Sequence, residues 1–97
     1  MTKQLQKNCL KEYQYIPLDN NEEYFYTYDL GCSSALISAG FELISLDKAN
    51  PQKVQFIFHR KIGIERVVND YWADCLEIKA RTFFDNIKML KNRIYSE

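Results

Sequence analysis

The sequence is poor in residues that interrupt regular secondary structure. Only three of its 97 residues are glycine and two are proline, too few for a linker-rich or fibrous chain. It has no apolar run of the roughly 18 to 20 residues needed to cross a bilayer. Its first residues, MTKQLQKNCLKEYQ, also lack the apolar stretch of a secretory signal. We therefore expect a folded cytoplasmic protein without membrane contact.

Residue types that commonly catalyse reactions or bind metals are equally scarce. His59 is the sole histidine, and no serine-hydrolase, zinc-protease or phosphate-loop motif is present. The three cysteines match neither zinc-knuckle nor redox C-x-x-C spacing. Asp70, Asp74 and Glu77 cluster in sequence, but acids near a helix end are usually solvated. We predict a non-catalytic protein with no catalytic residue, no metal site and no cofactor.

The chain is nevertheless rich enough in apolar residues to enclose one core. Hydrophobic residues make up 46% of it and aromatic residues 14%, which is typical of globular domains. The aromatic run YFYTY at residues 24–28 favours a strand. Residues 30–39 then predict a small-residue helix that Thr27 caps and Gly40 ends. In this helix, Ser33 and Ser34 either hold an anion on free amides or simply allow close packing.

The second half of the sequence has clearer periodicity. Residues 41–47 and 53–60 predict a hairpin, because Val54, Phe56 and Phe58 alternate with polar or outward positions. Apolar residues at helical spacing predict a second helix over residues 63–72. From Ala80 onward a longer apolar stripe that includes Phe84 predicts the last helix. Residues 73–78 are either a connector or a brief strand.

These elements predict an α+β fold with a short antiparallel sheet. The order along the chain is strand, helix, strand, strand, helix, helix, with the helices packed on one face of the sheet. Residues 24–97 form the single domain, because a chain of this length cannot enclose a second core. Residues 1–23 form either an extended arm or a short helix followed by a loop.

Several short motifs resemble a small domain family of unknown function from bacterial, phage and plasmid sequences. The matching motifs start at Tyr28 and end at Tyr95, and they cover about 70 residues: Tyr28-Asp29-Leu30, Ala35-Leu36, Gly40-Phe41, Val54-x-Phe56-x-Phe58, Asp70-Tyr71-Trp72, Arg81-x-Phe83-Phe84 and Leu90-Lys91-x-x-x-Tyr95. The resemblance implies a mobile-element or host-defence setting. It implies neither a reaction nor catalytic residues.

The charges, which sum to zero, are segregated along the chain. Residues 1–11 carry +3, residues 12–47 carry −7 and residues 48–97 carry +4. The acidic segment also contains several tyrosines, which protein interfaces favour. We therefore expect an adaptor that acts through contacts with an unknown protein partner or with a second copy of itself. The candidate interface residues are Tyr13, Tyr15, Glu22 and Glu23.

The alternative is a nucleic-acid-binding module. Basic side chains of the last helix and its approach would contact phosphates, and tyrosine rings of the first strand would stack on unpaired bases. The candidate residues are Lys79, Arg81, Lys88, Lys91 and Arg93 for phosphates and Tyr24, Tyr26 and Tyr28 for bases. The zero net charge argues against this alternative, because dedicated nucleic-acid binders are usually basic.

Overall fold

Three strands and three helices follow one another in the predicted order. The computed structural model describes residues 23–96. The elements are β1 (Tyr24–Thr27), α1 (Leu30–Ser38), β2 (Leu43–Asp47), β3 (Gln55–His59), α2 (Ile64–Trp72) and α3 (Ala80–Tyr95). The strands form one antiparallel sheet in the order β1-β3-β2. The predicted α+β class is confirmed, whereas the prediction of an arm or short helix falls almost wholly outside the described residues.

The central strand β3 separates the two faces of the sheet. Phe56 and Phe58 are fully buried, whereas His59 is exposed, as the period-two pattern predicts. In β2, Leu43 and Leu46 pair with Phe58 and Phe56 and pack against the same core. A register irregularity between Leu43 and Ser45 leaves Ile44 exposed. This β-bulge was not predicted.

All three helices cover the face of the sheet that carries Phe56 and Phe58. The buried core cluster contains side chains from β3 and from every helix: Cys32, Leu36, Phe56, Phe58, Ile64 and Leu90. Burying a large apolar side chain stabilises the fold by about 1.5–3 kcal/mol. The helices therefore form one layer, and the opposite face of the sheet has no helix on it within residues 23–96.

Helix α1 starts at Leu30, as the sequence predicted, but its cap is Asp29 rather than Thr27. Asp29 is the N-cap, and its carboxylate accepts a hydrogen bond from the backbone amide of Cys32 at 2.8 Å. The hydroxyl of Thr27, the predicted cap, instead accepts the amide N–H of Asp29 at 3.2 Å. The prediction for Gly40 holds, because this residue follows the helix with φ +102°, where glycine has no steric penalty.

Two aromatic residues of α2 and α3 lie on the surface, and one of them, Phe84, was assigned to a buried stripe. Phe84 was predicted to line the core side of α3, but its side chain is 57% exposed, and Leu90 is the fully buried residue of that helix. Trp72, at the end of α2, is exposed and packs edge-on against Tyr71. Both rings lie at the flank of the apolar stripe, where the sequence pattern does not fix burial.

Polar contacts connect α2 and α3 to residues at the ends of the strands. Arg60 and Glu65, both largely buried, form an ion pair that joins the end of β3 to α2. At the other end of the sheet, the ammonium of Lys48 donates to the carbonyl groups of Arg93 at 2.8 Å and Ser96 at 2.9 Å. This contact holds the C-terminal end of α3 over the β2–β3 connection. Within residues 23–96, no helix has the length and apolar character needed to cross a membrane.

Candidate binding surfaces

The face of the sheet that no helix of residues 23–96 covers, here called the uncovered face, carries an exposed row of tyrosines. In β1, Phe25 packs against the core, and the alternation of the strand turns Tyr24 and Tyr26 to the opposite side. Tyr24, Tyr26 and Tyr28 are 40%, 47% and 55% exposed. We refer to these three rings as the tyrosine face.

The tyrosine face is continued across the sheet by β3. Tyr24 pairs with His59 and Tyr26 pairs with Ile57, so their side chains lie side by side on the uncovered face. The ring centroids of Tyr24 and Tyr26 are 6.5 Å apart with a tilt of 53°, a favourable aromatic geometry. The ammonium of Lys53 lies 4.9 Å from the ring centroid of Tyr28 and forms a cation–π contact.

The segment that contains the three strands carries a small net negative charge. Residues 23–59 contain four acidic and two basic side chains, a net charge of −2 with His59 neutral. Glu23 lies immediately before β1, and its carbonyl accepts the backbone N–H of Arg60 at 2.9 Å. Among the predicted interface residues, only Glu23 is described, and it is exposed. Tyr13, Tyr15 and Glu22 lie outside the described residues.

The second candidate surface lies on α3. Lys79, Arg81, Lys88, Lys91 and Arg93 are all exposed. They share the helix with Phe84 and with Tyr95, which is 79% exposed. Residues 84, 88, 91 and 95 recur at helical spacing and so lie along one side of α3. We name the surface formed by Arg81, Phe84, Lys88, Lys91 and Tyr95 the basic helix face.

The structure does not bring the two halves of the predicted nucleic-acid site together. The tyrosine face is on the uncovered side of the sheet, whereas α3 packs through Leu90 against the other side. A ligand on Tyr24 and Tyr26 would be separated from Lys88 and Lys91 by the sheet and its core. The candidate residues therefore form two surfaces rather than one.

A polar cluster lies where β1 leads into α1. The thiol of Cys32 is buried, and this burial, with the nearby carboxylate of Asp29, raises its pKa to about 11. Burial and the charge of Asp29 also raise the pKa of the Tyr71 phenol. A thiol with such a pKa is protonated at neutral pH, and the thiolate is the nucleophilic form. The arrangement therefore stabilises packing rather than activating a nucleophile.

The serine pair in α1 has a packing role. The Ser33 and Ser34 hydroxyls are fully buried, and each donates at 2.9 Å to a carbonyl four residues earlier, of Asp29 and Leu30 respectively. The side chains are thus satisfied within their own helix. Across the described part of the chain, no three His, Cys, Asp or Glu side chains form a group that could hold a metal ion.

A cleft of about 210 Å³ opens between the end of α2 and the start of α3. Its lining includes the apolar side chains of Leu76, Ile78 and Phe83 together with Tyr71 and Asp74. A cleft of this size suits a single side chain better than a cofactor, since ligand pockets usually enclose about 300–1,000 Å³.

Sequence reasoning missed Phe84 and Tyr95 as surface residues. Phe84 was taken for a core residue, and Tyr95 was not included among the candidate site residues. The signal was present in their spacing, because residues 84 and 95 share a helical side with Lys88 and Lys91. Interleaved aromatic and basic residues on one side of a helix indicate a contact surface rather than a core.

The comparisons with known proteins identify a family and no individual relative. No curated protein and no solved structure matches the chain. A family model matches residues 22–96, so it covers β1 as well as the motifs from Tyr28 onward on which the resemblance was recognised. Its description names neither a reaction nor a ligand. The chain belongs to the family described as "Domain of unknown function (DUF5659)".

Proposed function

We propose that this domain is a non-catalytic adaptor that binds a protein partner through the tyrosine face. The observation that carries the proposal is the exposure of Tyr24, Tyr26 and Tyr28 on the side of the sheet that the helices leave uncovered. Tyrosine combines a large apolar area with a polar tip and has few rotatable bonds, so it is enriched at interfaces. The family resemblance adds a mobile-element or host-defence setting to the proposal.

The charge around the tyrosine face supports a partner with basic groups. The segment of residues 23–59 has a net charge of −2, and complementary charge accelerates association and selects among partners. Ile57 pairs with Tyr26 and extends the apolar area next to the rings. An aromatic face on a segment of net negative charge therefore fits an apolar, basic surface patch on another protein.

The same face allows a homodimer as one form of the proposal. Strand β1 is an outer strand of the described sheet, and an outer strand exposes backbone groups that can pair with another strand. Two copies joined through β1 would bring their tyrosines next to each other. Light scattering distinguishes the forms, because a mass equal to one chain excludes the homodimer.

The proposal is tested by removing the rings without changing the net charge. The variant Tyr24→Ser/Tyr26→Ser removes the centre of the tyrosine face, and Trp72→Ser/Tyr95→Ser removes two exposed rings elsewhere as the matched control. The full chain is used to capture a partner from the host cell, and the purified partner is then titrated with each variant. Circular dichroism confirms that both variants are folded.

We expect the tyrosine variant to weaken partner binding by about tenfold or more, because interface tyrosines often contribute most of the affinity. The control variant should bind as the unmodified chain does. Equal binding by all three proteins would contradict the proposal. The cytoplasmic location, which is also proposed, is checked by fractionating cells that express the full chain.

The nucleic-acid alternative is supported by one surface only. Phosphate binding at the tyrosine face is disfavoured by the net negative charge of residues 23–59. The basic helix face has the opposite charge, and it carries a proposal of its own.

A further inference from the structure

We propose that the basic helix face of α3 is a second binding site, which takes single-stranded nucleic acid. Lys88 and Lys91 contact the phosphates, with Arg81 near the start of the helix, and Phe84 and Tyr95 stack on unpaired bases. This site is separate from the tyrosine face, so a domain of this kind can hold a protein partner and a nucleic acid at the same time.

The first argument is the position of the charge. Helix α3 with its N-cap Lys79 contains five basic residues and one acid, a net charge of +4, whereas residues 23–78 carry −3. A protein of zero net charge therefore has one strongly positive element. Such a local field attracts polyanions even when the whole molecule is neutral.

The second argument is that the other two helices do not neutralise this charge. Helix α1, which packs against α3, contains no Lys, Arg, Asp or Glu. The two acids of α2, Glu65 and Asp70, are already paired with Arg60 and Arg66. Within residues 23–96, the one acid paired on α3 is Asp85, whose carboxylate lies 3.8 Å from Arg81. Lys88 and Lys91 form no ion pair with any residue of this range.

The third argument is the placement of the aromatic rings. Phe84 and Tyr95 lie on the same side of α3 as the lysines, with exposures of 57% and 79%. The Lys88 ammonium lies 5.4 Å from the ring centroid of Phe84, so a cation and an aromatic ring are adjacent on this surface. Rings eleven residues apart are separated by about 16 Å along a helix. An extended single strand spans that distance with a few nucleotides.

The rings favour a single strand over a duplex. Bases of a duplex are stacked on each other and unavailable to Phe84 and Tyr95, whereas an unpaired strand exposes them. A duplex would use the lysines alone. An anionic membrane surface also attracts lysines and aromatic residues. The vesicle experiment below distinguishes it from nucleic acid.

Binding is measured by fluorescence anisotropy of a labelled 15-nucleotide pyrimidine DNA with the full chain at about 25 mM salt. We expect a Kd of about 1–100 µM, and log Kobs should fall with log salt at a slope of about −2, as expected for about three phosphate contacts. The variant Lys88→Gln/Lys91→Gln should weaken binding by about tenfold. The control Lys53→Gln/Lys61→Gln removes the same charge elsewhere and should leave binding nearly unchanged.

The stacking step has its own test. Phe84→Ala/Tyr95→Ala should weaken binding to the single strand by about tenfold or more. It should leave binding to a duplex of the same length unaltered. The matched control is Trp72→Ala, which removes an exposed ring outside the basic helix face and should bind both DNAs normally. This comparison does not depend on any protein partner, so its result is independent of the tyrosine-face test.

Three outcomes would overturn the proposal. One is the absence of an anisotropy change at tens of micromolar protein and about 25 mM salt. Another is an equal loss for the two lysine pairs, which would mean that only net charge matters. The third is tighter binding to vesicles of phosphatidylserine and phosphatidylcholine than to the oligonucleotide, with the same loss for Lys88→Gln/Lys91→Gln. That result would assign the surface to a membrane.

Discussion

The hydroxyl of Tyr71 lies against the backbone of Gly31 and occupies the space that a side chain on Gly31 would need. A methyl group at Gly31 would overlap the hydroxyl oxygen and approach the ring carbon Cζ to 3.3 Å. Helix α2 can therefore approach the first turn of α1 because residue 31 has no side chain. Tyr71 belongs to the Asp70-Tyr71-Trp72 motif, and Gly31 directly follows the Tyr28-Asp29-Leu30 motif.

We expect Gly31→Ala to destabilise the domain. Alanine within a helix would otherwise be favoured by up to about 1 kcal/mol, but overpacking costs about 1–3 kcal/mol. Urea unfolding of Gly31→Ala, Tyr71→Phe and the double variant measures the coupling. The cost of the methyl group should be smaller in the Tyr71→Phe background, where the oxygen is absent. A stabilising Gly31→Ala would show that the two helices have room to separate.

The pH dependence of stability should reveal the buried thiol of Cys32. Its pKa rises from 9.0 in the unfolded chain to about 11 in the fold, so the folded state holds the proton more tightly. This contribution is complete below about pH 9 and is lost as the pH rises towards 11, for about 2–3 kcal/mol in total. The raised pKa of the Tyr71 phenol acts in the same direction.

The measurement compares urea unfolding of the unmodified chain and of Cys32→Ala between pH 7 and pH 11. The free energy of unfolding should fall more steeply for the unmodified chain, whatever the absolute stability of the variant. Parallel curves would mean that Cys32 does not titrate differently in the folded and unfolded states.

Two residues of α3 with similar sequence assignments should differ sharply in their effect on stability. Leu90→Ala removes a fully buried side chain and should cost about 2–5 kcal/mol. Phe84→Ala removes a larger but exposed ring and should change stability by less than about 1 kcal/mol. Thermal unfolding of both variants decides the point. An equally large loss of stability for Phe84→Ala would mean that this ring is packed in the core.

The sequence identifies core residues where every second residue of a strand is a large apolar one. Phe56 and Phe58 lie two residues apart between the polar residues Gln55 and His59, so one strand register buries both, and the structure has that register. Helical periodicity does not decide the burial of residues at the border of an apolar stripe. The spacing of Phe84 fits the core side of α3, but its side chain is exposed. The sequence places the first residue of α1 correctly at Leu30. Thr27 and Asp29 are both good capping residues, however, and the backbone geometry decides between them.

The candidate site was predictable only in parts, because its assembly depends on long-range geometry. The sequence shows that Tyr24 and Tyr26 share one side of a strand and that Lys88 and Lys91 lie close on a helix. It does not show which face of the sheet the helices cover. The helices cover the face that carries Phe25, Phe56 and Phe58. As a result, the tyrosines of β1 and the lysines of α3 lie on opposite sides of the sheet. Gly31 and Tyr71 are far apart in the sequence, so no local sequence pattern predicts their contact.

Lys48 should stabilise the last turn of α3. Its ammonium donates to the carbonyls of Arg93 and Ser96, which have no helical partners at the end of the helix. We expect Lys48→Met to cost about 0.5–1 kcal/mol and to accelerate hydrogen exchange of the last helical amides. Lys61→Met removes an exposed lysine elsewhere as the control. Unchanged exchange in Lys48→Met would indicate that the contact is not maintained in solution.

The β-bulge between Leu43 and Ser45 has a consequence for behaviour at high concentration. Strand β2 is an outer strand, and a straight apolar outer strand is a template on which further chains can stack into cross-β aggregates. The bulge disrupts the regular spacing of backbone donors and acceptors and turns Ile44 out of line. An incoming strand therefore cannot pair along the whole of β2, and the irregularity protects the domain against polymerisation from this side.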